Sequence, residues 1–260
     1  MEDPGTLARI VRSVAPGARL QAARPLAGGV SARVTALEVA PPDGRTLVLR
    51  RHGAADLARD PDIAAHEFRL LQILQAAGVP APAPLHLDTS GTILPTPWLL
   101  QSFVEGETAD VPADLDDHMR QLAEALAAIH RVPAADVPFL PLQEEQATAL
   151  VARHRPEPDE SLAESRLRAA LAAAWPPPRH NPPVLVHGDV WPGNLLWRGG
   201  RLQAVVDWED AATGDPLADL ANARLELFIA LGEDAAAALT RHYLALSAID
   251  TAALTAQAPA

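Results

Sequence analysis

Residues 184–221, VLVHGDVWPGNLLWRGGRLQAVVDWEDAATGDPLADLA, constrain this chain more than any other part of it. A short apolar run, Val184 to Val186, leads into His187-Gly188-Asp189, and Asn194 comes five residues after Asp189. Two apolar runs, 195–197 and 202–206, flank Arg198-Gly199-Gly200-Arg201, the pattern of a β-hairpin closed by a Gly-Gly turn. An antiparallel hairpin brings its open ends together. Asn194 enters the first strand and Asp207 leaves the second, so the two are expected to face each other within a residue or two of register. Asp189 sits on the loop just before. The expected result is two oxygen ligands side by side with a free carboxylate nearby.

That set of groups suits phosphoryl transfer. Mg²⁺ prefers hard oxygen ligands and takes only one or two protein groups besides water and phosphates. The reaction also needs a carboxylate that accepts the proton of the attacking hydroxyl and orients it. Asp189 fits the carboxylate role, and Asn194 and Asp207 fit the metal role. Asp-x-x-x-x-Asn followed by a later Asp is also the order of these groups in protein kinases.

Upstream, residues 4–14 carry Leu7, Ile10, Val11 and Val14 at helical spacing, with Asp3 as N-cap. From Leu20 to Arg51 the texture turns to strands, interrupted by Gly28-Gly29 and by a hairpin turn at Pro41-Pro42-Asp43-Gly44. Residues 61–77 read as an amphipathic helix started by Asp60-Pro61 and ended by Gly78. A proline-rich stretch follows, then a strand-like run from Trp98 to Val104. A domain boundary is expected at about residue 105, giving an N-terminal domain of 1–105 and a helical domain of 106–260. Residues 114–131 form the strongest helix pattern there, acidic in its first turn and His-Arg in its last, as the helix dipole favours. Two more helical stretches run to Trp175, and 176–183 read as a linker.

Composition narrows the function classes. With 21 Lys+Arg against 33 Asp+Glu the net charge is −12, and no basic patch of the kind a nucleic-acid binder carries is visible. No run approaches the ~18 apolar residues of a transmembrane helix, and MEDPGTLARI lacks the apolar core of a signal peptide. There is no cysteine, hence no disulfide, thiolate site or thiol nucleophile. A cytoplasmic protein with no membrane or nucleic-acid partner is expected; the oligomeric state is left open. The histidines other than His187 show no metal-ligand spacing and read as surface or core residues.

HGDVWPGN followed by VVDWEDAATGDPLADLA resembles the signature of the aminoglycoside phosphotransferase and choline kinase-like enzymes. That resemblance implies an α+β, protein-kinase-like two-lobe fold, with a small antiparallel-sheet N-lobe that binds nucleotide and a mainly helical C-lobe. It implies transfer of the γ-phosphoryl group of ATP, or GTP, to a hydroxyl of a small molecule with Mg²⁺ as cofactor. Asp189 would then be the catalytic base, Asn194 and Asp207 the metal ligands, and His187 and Asp219 supports of the loop. Gly28, Gly29 and Ser31 would cover the phosphates, and Arg50, ahead of Arg51, would take the place of the family's phosphate-binding lysine. Glu67 would be the ion-pair partner of Arg50, and residues 101–104, including Gln101 and Phe103, the hinge that binds adenine.

The chain departs from the family pattern in that arginine, in an abbreviated glycine loop, and in an end at Ala260 that is short for the family. Trp191 and Glu209 are further residues near the expected centre. The acidic groups Asp210 and Asp215 could attract a cationic acceptor. Two other readings stand beside the kinase. A catalytically weak, nucleotide-binding regulatory protein is favoured by arginine in the lysine position, since the two are not interchangeable. A metal-dependent hydrolase would use His187, Asp189 and Asp207 as ligands, without the further His and Asp clusters of a two-metal site. Nothing in the pattern selects the acceptor.

Overall fold

The computed structural model describes residues 2–26, 32–108, 112–153, 157–178 and 180–249. Helix α1 (Pro4–Val14) is capped by Asp3, whose carboxylate accepts from the Gly5 and Thr6 amides. Strands β1 (Leu20–Pro25), β2 (Ala32–Val39) and β3 (Thr46–His52) follow. Then come α2 (Ala54–Arg59), α3 (Ile63–Ala76), β4 (Pro84–Asp88) and β5 (Trp98–Ser102). The five strands form one antiparallel sheet in the order β1-β2-β3-β5-β4.

Strand alternation decides what each face of this sheet carries. Leu47 and Leu49 of β3, with Trp98 and Leu100 of β5, pack on Leu7, Ile10 and Val11 of α1. Burying such a side chain contributes about 1.5–3 kcal/mol, so α1 is held by its apolar stripe. Arg51 lies on that same face, where its guanidinium meets Glu2 and Thr96. Arg50 is therefore on the opposite face, towards α3 and the rest of the molecule.

The remaining elements are mostly helical: α4 (Leu115–Ile129), α5 (Gln143–Ala152) and α6 (Glu164–Ala174), then β6 (Val184–Val186), β7 (Leu195–Arg198), β8 (Arg201–Val205) and β9 (Ala212–Gly214), and finally α7 (Leu217–Leu231) and α8 (Glu233–Leu246). Asp114 caps α4 by accepting from the Asp117 amide. One large core joins Leu70, Leu71 and Leu74 of α3 to Leu122 and Leu126 of α4, Leu220 and Leu227 of α7, and Leu239 and Tyr243 of α8. Helix α3 thus ties the sheet to the helical part, in a two-lobe protein-kinase-like arrangement. Neither α5 nor α6 contains a buried residue.

Three details differ from the sequence pattern. The helix expected from residue 61 begins at Ile63, because the Asp60 carboxylate accepts from the Asp62 amide in a turn ahead of it. The six-residue α2 is too short to show a period. Strand β4 lies in the proline-rich stretch, where Pro84 opens a strand at the edge of the sheet and so removes no interior ladder bond.

Candidate active site

The hairpin of β7 and β8 pairs Leu195 with Val205, and the Val206 amide donates to the Asn194 carbonyl at 2.9 Å. Asn194 and Asp207 therefore leave the open end of the hairpin as neighbours. Asp207 adopts a left-handed backbone (φ 67°), uncommon for a residue with a side chain and concentrated at functional sites. It begins a short 3₁₀ turn, Trp208–Asp210, whose indole is buried and whose Nε1–H donates to the Val205 carbonyl.

The loop between β6 and β7 is tied on three sides. Asp219 of α7, 1% exposed, accepts the His187 amide on Oδ2 (2.7 Å) and the Gly188 amide on Oδ1 (2.9 Å). His130, at the end of α4, lies 3.1 Å from Asp219 Oδ2 through Nε2 and 2.6 Å from the Tyr243 hydroxyl through Nδ1. Burial alone would raise the Asp219 carboxyl. The hydrogen bonds from His130 and the His187 amide override it and hold the group below the usual carboxylate range. His187 is fully buried and accepts the Asp189 amide on Nδ1, so Nε2–H is the donor to the Val206 carbonyl at 3.0 Å. One imidazole thereby fixes the loop to the end of the hairpin.

Gly188 has φ 85°, and a Cβ there would come within 2.3 Å of the Asp210 carbonyl oxygen, so no other residue fits without moving that backbone. Asp189 and Asn194 meet directly: Asn194 Nδ2 donates to the Asp189 carboxylate at 3.0 Å and to its carbonyl at 2.9 Å. That turns the amide oxygen of Asn194 away from Asp189. The half-exposed Trp191 ring lies over Gly193, where a Cβ would be 2.2 Å from it.

From the other lobe, Arg50 reaches into this end of the hairpin. It is 4% exposed; Nε donates to Glu67 Oε2 (3.0 Å), and Nη2 donates to Asp207 Oδ1 (2.8 Å) and Glu209 Oε2 (2.9 Å). Burial works against its charge, but Glu67, Asp207 and Glu209 outweigh it and raise the guanidinium further above its ordinary value. Burial likewise disfavours the Glu67 carboxylate, yet Arg50 and then His52, with Nε2 at 2.9 Å, hold it below the ordinary range. The chain contains no lysine, so none can substitute for Arg50.

The structure thus brings Asp189, Asn194, Asp207, Arg50 and Glu67 into one cluster. Gly28, Gly29 and Ser31 fall outside the described residues. Gln101 pairs with Val48, two residues from Arg50 along β3, and Phe103 lies beyond the end of β5 with its ring 5.7 Å from the Arg24 guanidinium. Asp215 turns to structural work, accepting the Leu217 amide at the start of α7 and holding Asn181. Asp210 is exposed at its edge; desolvation and the neighbouring Asp189 and Asp207 charges raise its carboxyl against the pull of Arg59. His130 and Tyr243 carry no local signal in the sequence, because their partners are 89 and 113 residues away.

A two-lobe kinase-like fold, with a carboxylate loop against the open end of a hairpin and a buried arginine-glutamate pair between β3 and α3, has the architecture of a phosphotransferase. The model of the phosphotransferase enzyme family matches residues 22–255, and the chain belongs to that family. The homoserine kinase of Methylobacterium radiotolerans is 30% identical over 166 residues, 58% of this chain and 49% of that protein. Acyl-CoA dehydrogenase family member 10 of Mus musculus is 29% identical over 207 residues, 71% of this chain and 19% of that protein. The chain spans half or less of the length of these curated relatives. Among solved structures, the GDP complex of wild-type aminoglycoside 2'-phosphotransferase-IIIa matches with a TM-score of 0.71 at 21% identity, over 93% of this chain and 83% of that one. Among the described residues, no helix is long and apolar enough to cross a membrane.

Proposed function

We propose that the chain transfers the γ-phosphoryl group of ATP or GTP to a hydroxyl of a small molecule, with Mg²⁺ as cofactor. The observation that carries this reading is the meeting of Asp189 and Asn194 on one loop with Asp207 at the hairpin end, where Arg50 arrives from the other lobe. The donor set fits Mg²⁺: Asp207 offers hard carboxylate oxygen, and Asn194, with Nδ2 engaged by Asp189, offers its amide oxygen. Asn194 and Asp207 would hold the metal, which would supply neutralisation of phosphate charge.

The chain's own residues do the rest. Asp189 accepts the proton of the acceptor hydroxyl and orients its oxygen for in-line attack. Arg50, fixed by Glu67, presents a guanidinium to the phosphates, a geometry suited to bidentate contact. By the family resemblance, Gly28, Gly29 and Ser31 would cover the phosphates and 101–104 would bind the base. The connection after β5, at about residue 105, would separate the nucleotide-binding lobe from the catalytic one. Use of GTP has the precedent of the GDP-bound aminoglycoside 2'-phosphotransferase, and hydroxylated acceptors have that of homoserine kinase. The hydrolase reading loses its histidine, because both ring nitrogens of His187 are engaged by backbone.

The test is ³¹P NMR of the purified chain with ATP or GTP, Mg²⁺ and a panel of hydroxylated acceptors, homoserine and aminoglycosides included. Transfer that Asp189→Ala abolishes while thermal-shift experiments still show nucleotide binding is the expected result. Nucleotide binding without transfer to any acceptor would favour the regulatory reading. No nucleotide binding in the wild type would sink both.

A further inference from the structure

Arg50 makes more contacts than a phosphate ligand needs. Its Nε is anchored on Glu67, and its Nη2 is shared between Asp207 and Glu209 at 2.8 and 2.9 Å. One guanidinium therefore faces three carboxylates, and it does so through two different nitrogens. A lysine, with a single nitrogen at the end of its stem, could not span Glu67 and the Asp207–Glu209 pair in the same way. Asp207 and Glu209 lie two residues apart in one 3₁₀ turn, and the left-handed backbone at Asp207 starts that turn. Both carboxylates of the turn thus converge on the same guanidinium nitrogen.

We infer that Arg50 is the resident counter-ion of the metal-binding carboxylates: parked by Glu209, it holds Asp207 until nucleotide phosphates draw it off. This inference rests on the nucleotide and metal reading above. A divalent cation approaching Asp207 with Arg50 in place meets a positive charge already hydrogen-bonded to the same carboxylate, an unfavourable close contact in this partly buried site. A nucleotide without metal meets the carboxylates that Arg50 leaves behind. Only the two ligands together replace both sides of the Arg50–Asp207 pair: phosphates take the guanidinium and the cation takes Asp207. By linkage, nucleotide and cation then favour each other's binding on the protein.

Glu209 acts in this scheme as a positioning residue, through its contact with Arg50. It also has somewhere to go. A cavity of about 350 Å³ is lined by His52, Glu67, Phe139, Leu140, Trp208 and Glu209 among others. When Arg50 turns to phosphate, the Glu209 side chain can swing into that space and away from Asp207.

The test measures Mn²⁺ binding to the full chain without nucleotide, from the EPR signal of the free ion, in wild type, Arg50→Lys and Arg50→Gln. Arg50→Lys keeps the buried cation, and so the fold, while giving up the span between Glu67 and the pair. Wild type should bind Mn²⁺ weakly. Arg50→Gln should bind it about tenfold tighter or more, within the usual range of coupling between sites, and Arg50→Lys should fall between. Equal or weaker Mn²⁺ binding in both folded variants would overturn the inference. A parallel titration follows a fluorescent ATP analogue without metal, which should bind Glu209→Gln more tightly than wild type; unchanged affinity would remove Glu209 from the parking role. The underlying reading has its own readout. If the analogue does not bind wild type even with Mg²⁺, the nucleotide site itself fails; if it binds and Mn²⁺ affinity ignores Arg50, only the counter-ion role fails.

Discussion

Replacing Asp219 by alanine should cost about 4 kcal/mol of stability at neutral pH, and the structure shows where the loss arises. The carboxylate is 1% exposed and accepts the backbone amides of His187 and Gly188 at 2.7 and 2.9 Å, with His130 Nε2 at 3.1 Å. Alanine leaves the buried His187 amide, the partly buried Gly188 amide and an imidazole without their acceptor, at about 1–3 kcal/mol for each group. The lower part of that sum overlaps the ~3–5 kcal/mol typical of removing one partner of a buried carboxylate, and about 4 kcal/mol lies within both. Asp219→Asn keeps the shape and one acceptor oxygen but turns an N–H₂ towards a donor, so about 2–3 kcal/mol is expected. For a chain of this size each kcal/mol shifts Tm by about 2–4 °C, so the alanine variant should melt roughly 8–16 °C lower. Urea and thermal unfolding followed by far-UV circular dichroism would measure both. An alanine variant within about 1 kcal/mol of wild type would refute the idea that Asp219 is the main anchor of the loop. So would an asparagine variant as damaged as the alanine one, since the loss would then not follow the number of acceptors.

Two further predictions come from the same loop. The carboxyl of Asp219 is held below its ordinary value in the folded state, so the unfolded chain takes up its proton first as pH falls. Its contribution is fully present above about pH 4 and is lost as pH drops through the folded value, so the gap between wild type and Asp219→Asn should narrow below about pH 4. A gap that widens on acidification would contradict the assignment; denaturant titrations at several pH values decide it. Gly188→Ala places a Cβ 2.3 Å from the Asp210 carbonyl at a left-handed backbone position. The backbone conformation alone costs about 1–2 kcal/mol, and the displaced 207–210 turn should weaken binding of a fluorescent nucleotide analogue with Mg²⁺. An alanine variant with wild-type stability and affinity would show that the loop has another way to fit.

The local geometry of the candidate site was legible in the sequence because it is carried by one short segment. The Gly-Gly hairpin sets Asn194 beside Asp207 by its own register, and Asp189 stands only five residues before Asn194, so neighbours in sequence are neighbours in space. The period-2 alternation of β3 separates Arg50 from Arg51, and the helical period and caps outline α1 and α4. Strand β4 escaped because prolines mask an edge strand, and α2 because six residues carry no period. The long-range contacts had no local trace. That Arg50 reaches Asp207 and Glu209 across 157 and 159 residues, and that Tyr243, His130 and Asp219 form one buried chain behind the loop, depends on how α3, α4, α7 and α8 pack around a shared core. Patterns of period 2 and 3.6 report which face of an element is buried, but not which distant element buries it. A buried charge must find a partner, and only the packed tertiary structure decides which one.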